Sequence, residues 1–114
     1  MAHTIESAFD HEHVNDVLQF LSEYRFTLSD IPIAITIRLF RPIAAGGGVF
    51  FRQSHFISTP KQAGPYRTSR PWNDTEEAAI NQVVSAMNME YDAAIKAGMT
   101  PDETWLTPND SFLQ

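Results

Sequence analysis

The chain has 114 residues, 43% of them apolar and 19% charged, with a formal net charge of −6 and no cysteine. That length fits one domain spanning residues 1–114, and a chain of this size buries roughly two-thirds of its unfolded surface, enough for a core without staples. The lack of thiols excludes disulfide scaffolds, cysteine-ligated zinc, iron–sulfur clusters and thiol nucleophiles, and no cofactor is expected.

No apolar run reaches the roughly 18 residues of a membrane span, and Met1-Ala2-His3-Thr4-Ile5-Glu6 lacks the basic and apolar parts of a signal peptide. A cytoplasmic protein without membrane contact is the expectation. Neither a repeat period nor low-complexity sequence is visible, and the prolines stand singly at element boundaries.

Over residues 10–24, Val14, Val17, Leu18, Leu21 and Tyr24 recur at helical spacing between polar residues, which predicts an amphipathic first helix capped by Ser7 or Asp10. Phe9 and Phe20 fall off that stripe. The period then changes: Ile33, Ile35, Ile37 and Leu39 alternate with Ala34, Thr36, Arg38 and Phe40, a half-buried strand ending near Pro42. Gly46-Gly47-Gly48 breaks the chain, and residues 49–57 resume alternation, so an antiparallel hairpin with a loop of about six residues is predicted. The glycines lack the Gly-Lys-Ser/Thr ending of a phosphate-binding loop.

Residues 58–73 hold Pro60, Gly64, Pro65 and Pro71 and no period, which predicts a long loop. Asp74 with Glu77 reads as a capping box for a helix over 75–97, whose stripe is Ile80, Val83, Val84, Met87, Tyr91, Ala94 and Ile95, with Gly98 as its left-handed end. Thr100-Pro101-Asp102-Glu103 predicts a short helical turn before Trp105, and Thr107-Pro108-Asn109-Asp110 another turn. The tail Ser111-Phe112-Leu113 can dock by Phe112. The expected fold is a small α+β domain in the order helix, β-hairpin, long loop, long C-terminal helix, helical turn and tail. Two strands alone are marginal, so a third comes from residues 2–7, the loop or the tail, or the hairpin edge pairs with another chain; a homodimer built by edge pairing or by the long helix is expected.

Charge is segregated. Residues 1–30 carry six acids against Arg25, and residues 74–114 carry eight against Lys96, whereas residues 31–73 hold Arg38, Arg41, Arg52, Lys61, Arg67, Arg70 and no acid. Strand and helix propensities alone can produce such a pattern. The middle segment also interleaves those arginines with aromatics. If the isoleucines face a helix, Arg38 and Phe40 face away, and Phe50, Arg52 and Phe56 can join them as a surface for phosphates and bases. The opposite face of the second strand is Val49, Phe51, Gln53, His55 and Ile57. Tyr66, Arg67, Arg70 and Trp72 crowd the loop with residue types that anchor protein interfaces, unless Trp72 is a lid over the last helix.

Catalytic signals are weak. In Asp10-His11-Glu12-His13 the histidines lie two apart, so on a helix they diverge and cannot chelate one ion, and no metal is expected. Ser54 and His55, adjacent in a strand, should point to opposite faces, which is wrong for a nucleophile and its base. No paired-carboxylate spacing stands out. The element order resembles part of the double-stranded RNA-binding fold in outline, but Asp74-Thr75-Glu76-Glu77 stands where such domains have a lysine-rich helix start. Small, acidic, thiol-free α+β chains are common among phage and mobile-element regulators, an association by class. The expectation is therefore a non-enzymatic binding protein, an adaptor or inhibitor contacting a protein partner through Tyr66, Arg67, Arg70 and Trp72. The alternative is single-stranded nucleic acid or RNA held on Arg38, Phe40, Phe50, Arg52 and Phe56.

Overall fold

The structure is a computed structural model that describes residues 2–43, 47–68 and 70–112; Gly46 of the glycine break and Leu113 of the tail lie outside them. In chain order, one helical turn α1 (Ile5–Ala8) precedes β1 (Leu18–Leu28), β2 (Ile31–Pro42), β3 (Val49–Gln53), β4 (His55–Ile57) and β5 (Trp72–Asn73). The long α2 (Glu76–Lys96), a 3-10 turn at Glu103–Trp105 and β6 (Leu106–Pro108) follow. The fold is α+β, as the periodicities imply. β1, β2, β3 and β5 form an antiparallel sheet in that order, and β4 pairs with β6 in a small second sheet.

The segment expected to be the first helix is turn and coil over residues 10–17 and strand from Leu18 onward. Helix is confined to Ile5–Ala8, where Thr4 and Ser7 form a reciprocal cap. Residues 2–16 are exposed throughout, and β1 then pairs along its length with β2. Phe20, Tyr24, Phe26 and Thr27 are strand formers, and a ladder to the neighbouring strand outweighs the modest helical preference of the rest. A two-residue turn joins the strands, with Ser29 at φ +40°, the left-handed backbone that hairpin turns demand.

Alternation in β2 holds. Ile31, Ile35, Ile37 and Leu39 are buried, and the register Leu39↔Phe51 puts Val49, Phe51 and Gln53 on the same inner face. The predicted strand over 49–57 is broken at Ser54, whose hydroxyl accepts the Thr36 N–H at 2.8 Å and whose carbonyl accepts the Asn109 N–H at 2.8 Å. The chain thereby leaves the main sheet, and Phe56↔Thr107 and Ile57↔Leu106 pair in the second. Thr107 and Pro108 are thus in a strand, and the turn they were expected to make begins at Asn109. The long loop likewise ends in β5, supplying a further strand as one of the expected sources.

α2 crosses the inner face with Ala79, Val83, Met87 and Ala94 buried and with Ile80, Val84 and Tyr91 packed at the margin. Burying a Val or Met side chain contributes about 1.5–3 kcal/mol, which makes this face the main attachment of the helix. Its cap is Thr75 rather than Asp74, the Thr75 hydroxyl accepting the Ala78 N–H at 3.1 Å. Gly98, at φ +82°, ends it, and the Met99 N–H returns to the Ala94 carbonyl at 3.0 Å. Asp102 caps the 3-10 turn that buries Trp105 edge-on against Tyr91, with ring centroids 5.6 Å apart. Among the described residues no helix is long and apolar enough to cross a membrane. The molecule measures 65 × 24 × 23 Å, and its radius of gyration of 17.1 Å exceeds the roughly 13 Å of a compact chain this long, so it is elongated.

Candidate docking face

The pairing of the strands fixes what lies on the face away from α2. Phe20 is opposite Phe40, Phe40 opposite Phe50, and Phe50 opposite Trp72, so four aromatic residues form one row across the four strands. Phe20 is 55% exposed and Phe50 and Trp72 nearly 40%, although an outer sheet face is ordinarily polar. Phe20 meets Phe40 edge-on with centroids 5.9 Å apart. Beside this row runs a charged one, Glu23 opposite Arg38 and Arg38 opposite Arg52.

Each of four arginines lies over a ring. The Arg38 guanidinium carbon is 4.4 Å from the Phe112 centroid, Arg52 is 5.3 Å from Phe40, Arg67 is 4.4 Å from Phe56 and Arg70 is 4.5 Å from Trp72. At exposed sites such contacts contribute about 0.5–1 kcal/mol and hold a long side chain in one place. Arg38 also donates from Nε to Glu23 Oε1 at 2.7 Å. That hydrogen bond, with the charges of Arg38 and Arg25, holds the Glu23 carboxyl below its ordinary value. Phe112 is buried here, so the tail docks as its aromatic residue suggested. A shallow hollow of about 420 Å³ lies among Phe20, Arg38, Phe40, Arg52 and Phe112, and a second of about 320 Å³ among Arg52, Phe56, Arg67 and Pro71. Arg52 borders both, making the surface continuous.

Arg38, Phe40, Phe50 and Arg52 therefore share one face, with Phe56 and Arg67 adjoining and Trp72 with Arg70 at its far end. Tyr66 does not join them. It lines a crevice on the α2 side with Phe51, Ile57 and Val83, and its N–H donates to the Ile57 carbonyl at 2.9 Å. Phe20 and Glu23 were absent from the sequence-derived sets because their segment read as helix; the alternation of Glu23 and Arg25 with Tyr24 and Phe26 was the available signal.

Ser54 and His55 are closer than strand alternation implies. Because Ser54 is the break between β3 and β4, its Oγ lies 2.8 Å from His55 Nδ1 while also accepting the Thr36 N–H. The hydroxyl is engaged in holding the strand break. Burial holds the His55 imidazole below its ordinary value. His11 and His13 sit in an exposed turn rather than on a helix, with His13 3.2 Å from Glu12. Among the described residues no three His, Asp or Glu side chains converge as metal ligands.

Comparison with known proteins finds no matching family model, no matching curated protein and no matching solved structure.

Proposed function

We propose that this chain is a non-enzymatic protein-binding module, an adaptor or inhibitor, that docks its partner on the outer face of the sheet. The observation that carries this reading is the exposed row Phe20, Phe40, Phe50 and Trp72, flanked by arginines already laid over rings. Aromatic residues and arginine are the usual anchors of protein interfaces, and side chains held in place before contact lose less entropy on binding. Arg38 is engaged by Glu23 and Phe112, and the net charge of −6 repels a polyanion at long range. Both favour a protein over a nucleic acid.

A second reading, single-stranded nucleic acid or RNA on the same face, draws on Arg52, Arg67 and Arg70 flanking stackable rings. Affinity capture from a native lysate separates the two, with the intact chain and a Phe50→Ala, Trp72→Ala double variant as baits, each with and without nuclease. The expected result is a protein retained after nuclease and lost with the double variant. Capture that disappears on nuclease treatment, and weakens steeply with added salt, replaces the protein reading with the nucleic-acid one. Equal capture by both baits removes the outer face from consideration.

A further inference from the structure

β1 is the edge of the main sheet, and between it and α2 runs an open groove of about 780 Å³ whose walls include Tyr24, Phe26, Ile80, Val84 and Ile95. Tyr24 is 51% and Ile95 40% exposed. Two register shifts interrupt β1, one between Phe20 and Ser22 and one between Phe26 and Leu28. Bulges bend a strand away from further pairing, so the stretch able to receive another strand is Ser22, Glu23, Tyr24, Arg25 and Phe26, five residues centred on Tyr24. Within it Ser22, Tyr24 and Phe26 alternate onto the α2 side, where Tyr24 and Phe26 line the groove and Ser22 donates to Glu76 Oε1 at 2.7 Å. Glu23 and Arg25 alternate onto the outer side, Arg25 also bordering the groove.

We infer that the occupant of this edge and groove is a second copy of the chain, joined by antiparallel pairing of β1 with β1 about a two-fold axis through Tyr24. Charge selects the register. Pairing centred on Glu23 sets two glutamates opposite each other, and pairing centred on Arg25 sets two arginines opposite each other. Centred on Tyr24, Glu23 of each copy faces Arg25 of the other, Ser22 faces Phe26, and the two Tyr24 rings meet where the grooves join. The same five residues are the ones free of bulges, so backbone regularity and charge agree on one arrangement. The sheet then runs continuously through both copies, and the two outer faces lie side by side. This inference rests on the edge, the groove and the Glu23–Arg25 alternation, and does not require a partner on the aromatic row of the docking face.

The test uses the full chain, which has no native cysteine. Sedimentation velocity from about 1 to 100 μM should show a dimer at the upper end, because self-association follows mass action. Under mild oxidation Tyr24→Cys should form a disulfide-linked dimer. Glu23→Cys or Arg25→Cys alone should not, because each copy of these residues lies about 8 Å from its own equivalent, beyond disulfide reach. A mixture of Glu23→Cys and Arg25→Cys, which keeps Tyr24 in the groove, should cross-link. Arg25→Glu should weaken the dimer by about tenfold or more, since two opposite-charge pairs become like-charge ones. A monomer at every concentration, with no cross-link at Tyr24→Cys or in the mixture, overturns the proposal and leaves the groove to a different chain. A dimer that cross-links best through Glu23→Cys or Arg25→Cys alone overturns the register.

Discussion

On the inner side of β2, Ile35, Ile37 and Leu39 are sealed from water under α2, while one residue away Arg38 and Phe40 stand on a face that meets solvent beside Phe20 and Phe50. Both faces carry large apolar side chains. On the inner one they are answered by Val83, Met87 and Trp105, so burial explains them. On the outer one Phe112 comes over to Arg38, and among the described residues Phe20, Phe50 and Trp72 stay exposed. Stability accounts for the first set of residues and not for the second, and that difference directs attention to the outer face as a place of contact.

The sharpest separation of the faces is a pair of truncations. Leu39→Ala, at a position with no exposure, should destabilise the protein by about 2–5 kcal/mol in urea titration, the transfer loss adding to the cavity left behind. Phe112→Ala should fall between the faces, costing about 1–3 kcal/mol because one buried ring is lost and Arg38 loses its cover. Phe50→Ala should cost less than about 1 kcal/mol of stability while weakening partner capture about tenfold or more. If Phe50→Ala destabilises as much as Leu39→Ala, the outer row is core and the distinction fails.

The smallest effect belongs to His55, at the junction of the two sheets. Burial holds its folded value below the ordinary histidine value of about 6.5, so as pH falls the unfolded chain binds the proton first. The stability this group contributes is complete above that value and is lost as pH drops through it toward the folded one. Thermal melts at about pH 7.5 and 5.5 should therefore show a decline that His55→Gln reduces; an unchanged decline would move the effect to other groups.

Much of the fold was legible because β2 and α2 each bury one regular stripe. Arg38, Phe40, Phe50 and Arg52 were legible as one face for the same reason, two strands in phase. β1 was not, and the bulge at Leu21 explains why. Phe20 lies on the outer face and Ser22 on the inner one, although residues two apart in a regular strand share a face. The extra residue hides the alternation and lets Val14, Val17, Leu18 and Leu21 imitate a helical stripe. The break at Ser54 acts similarly on β4, whose partner β6 lies at the far end of the chain, where no local pattern announces it. Tyr66 was grouped with Trp72 by closeness in sequence, but Tyr66 lies on the α2 side and Trp72 opposite Phe50 on the outer face.

That distant pairing of β4 with β6 also orders events in time. β1 and β2 meet across a two-residue turn and can zip together in about 1–10 μs, as hairpins do. Residues 55–57 must wait for residues 106–108, with the whole of α2 between them, and so incur the entropy of closing a much longer loop. Phe112 follows β6 and docks only once that loop has closed. The hairpin is therefore expected to form first and the floor around Arg38 last, so that φ-values should be higher at Ile35 than at Leu106 and Phe112, and the docking face should reach its final shape at the end of folding.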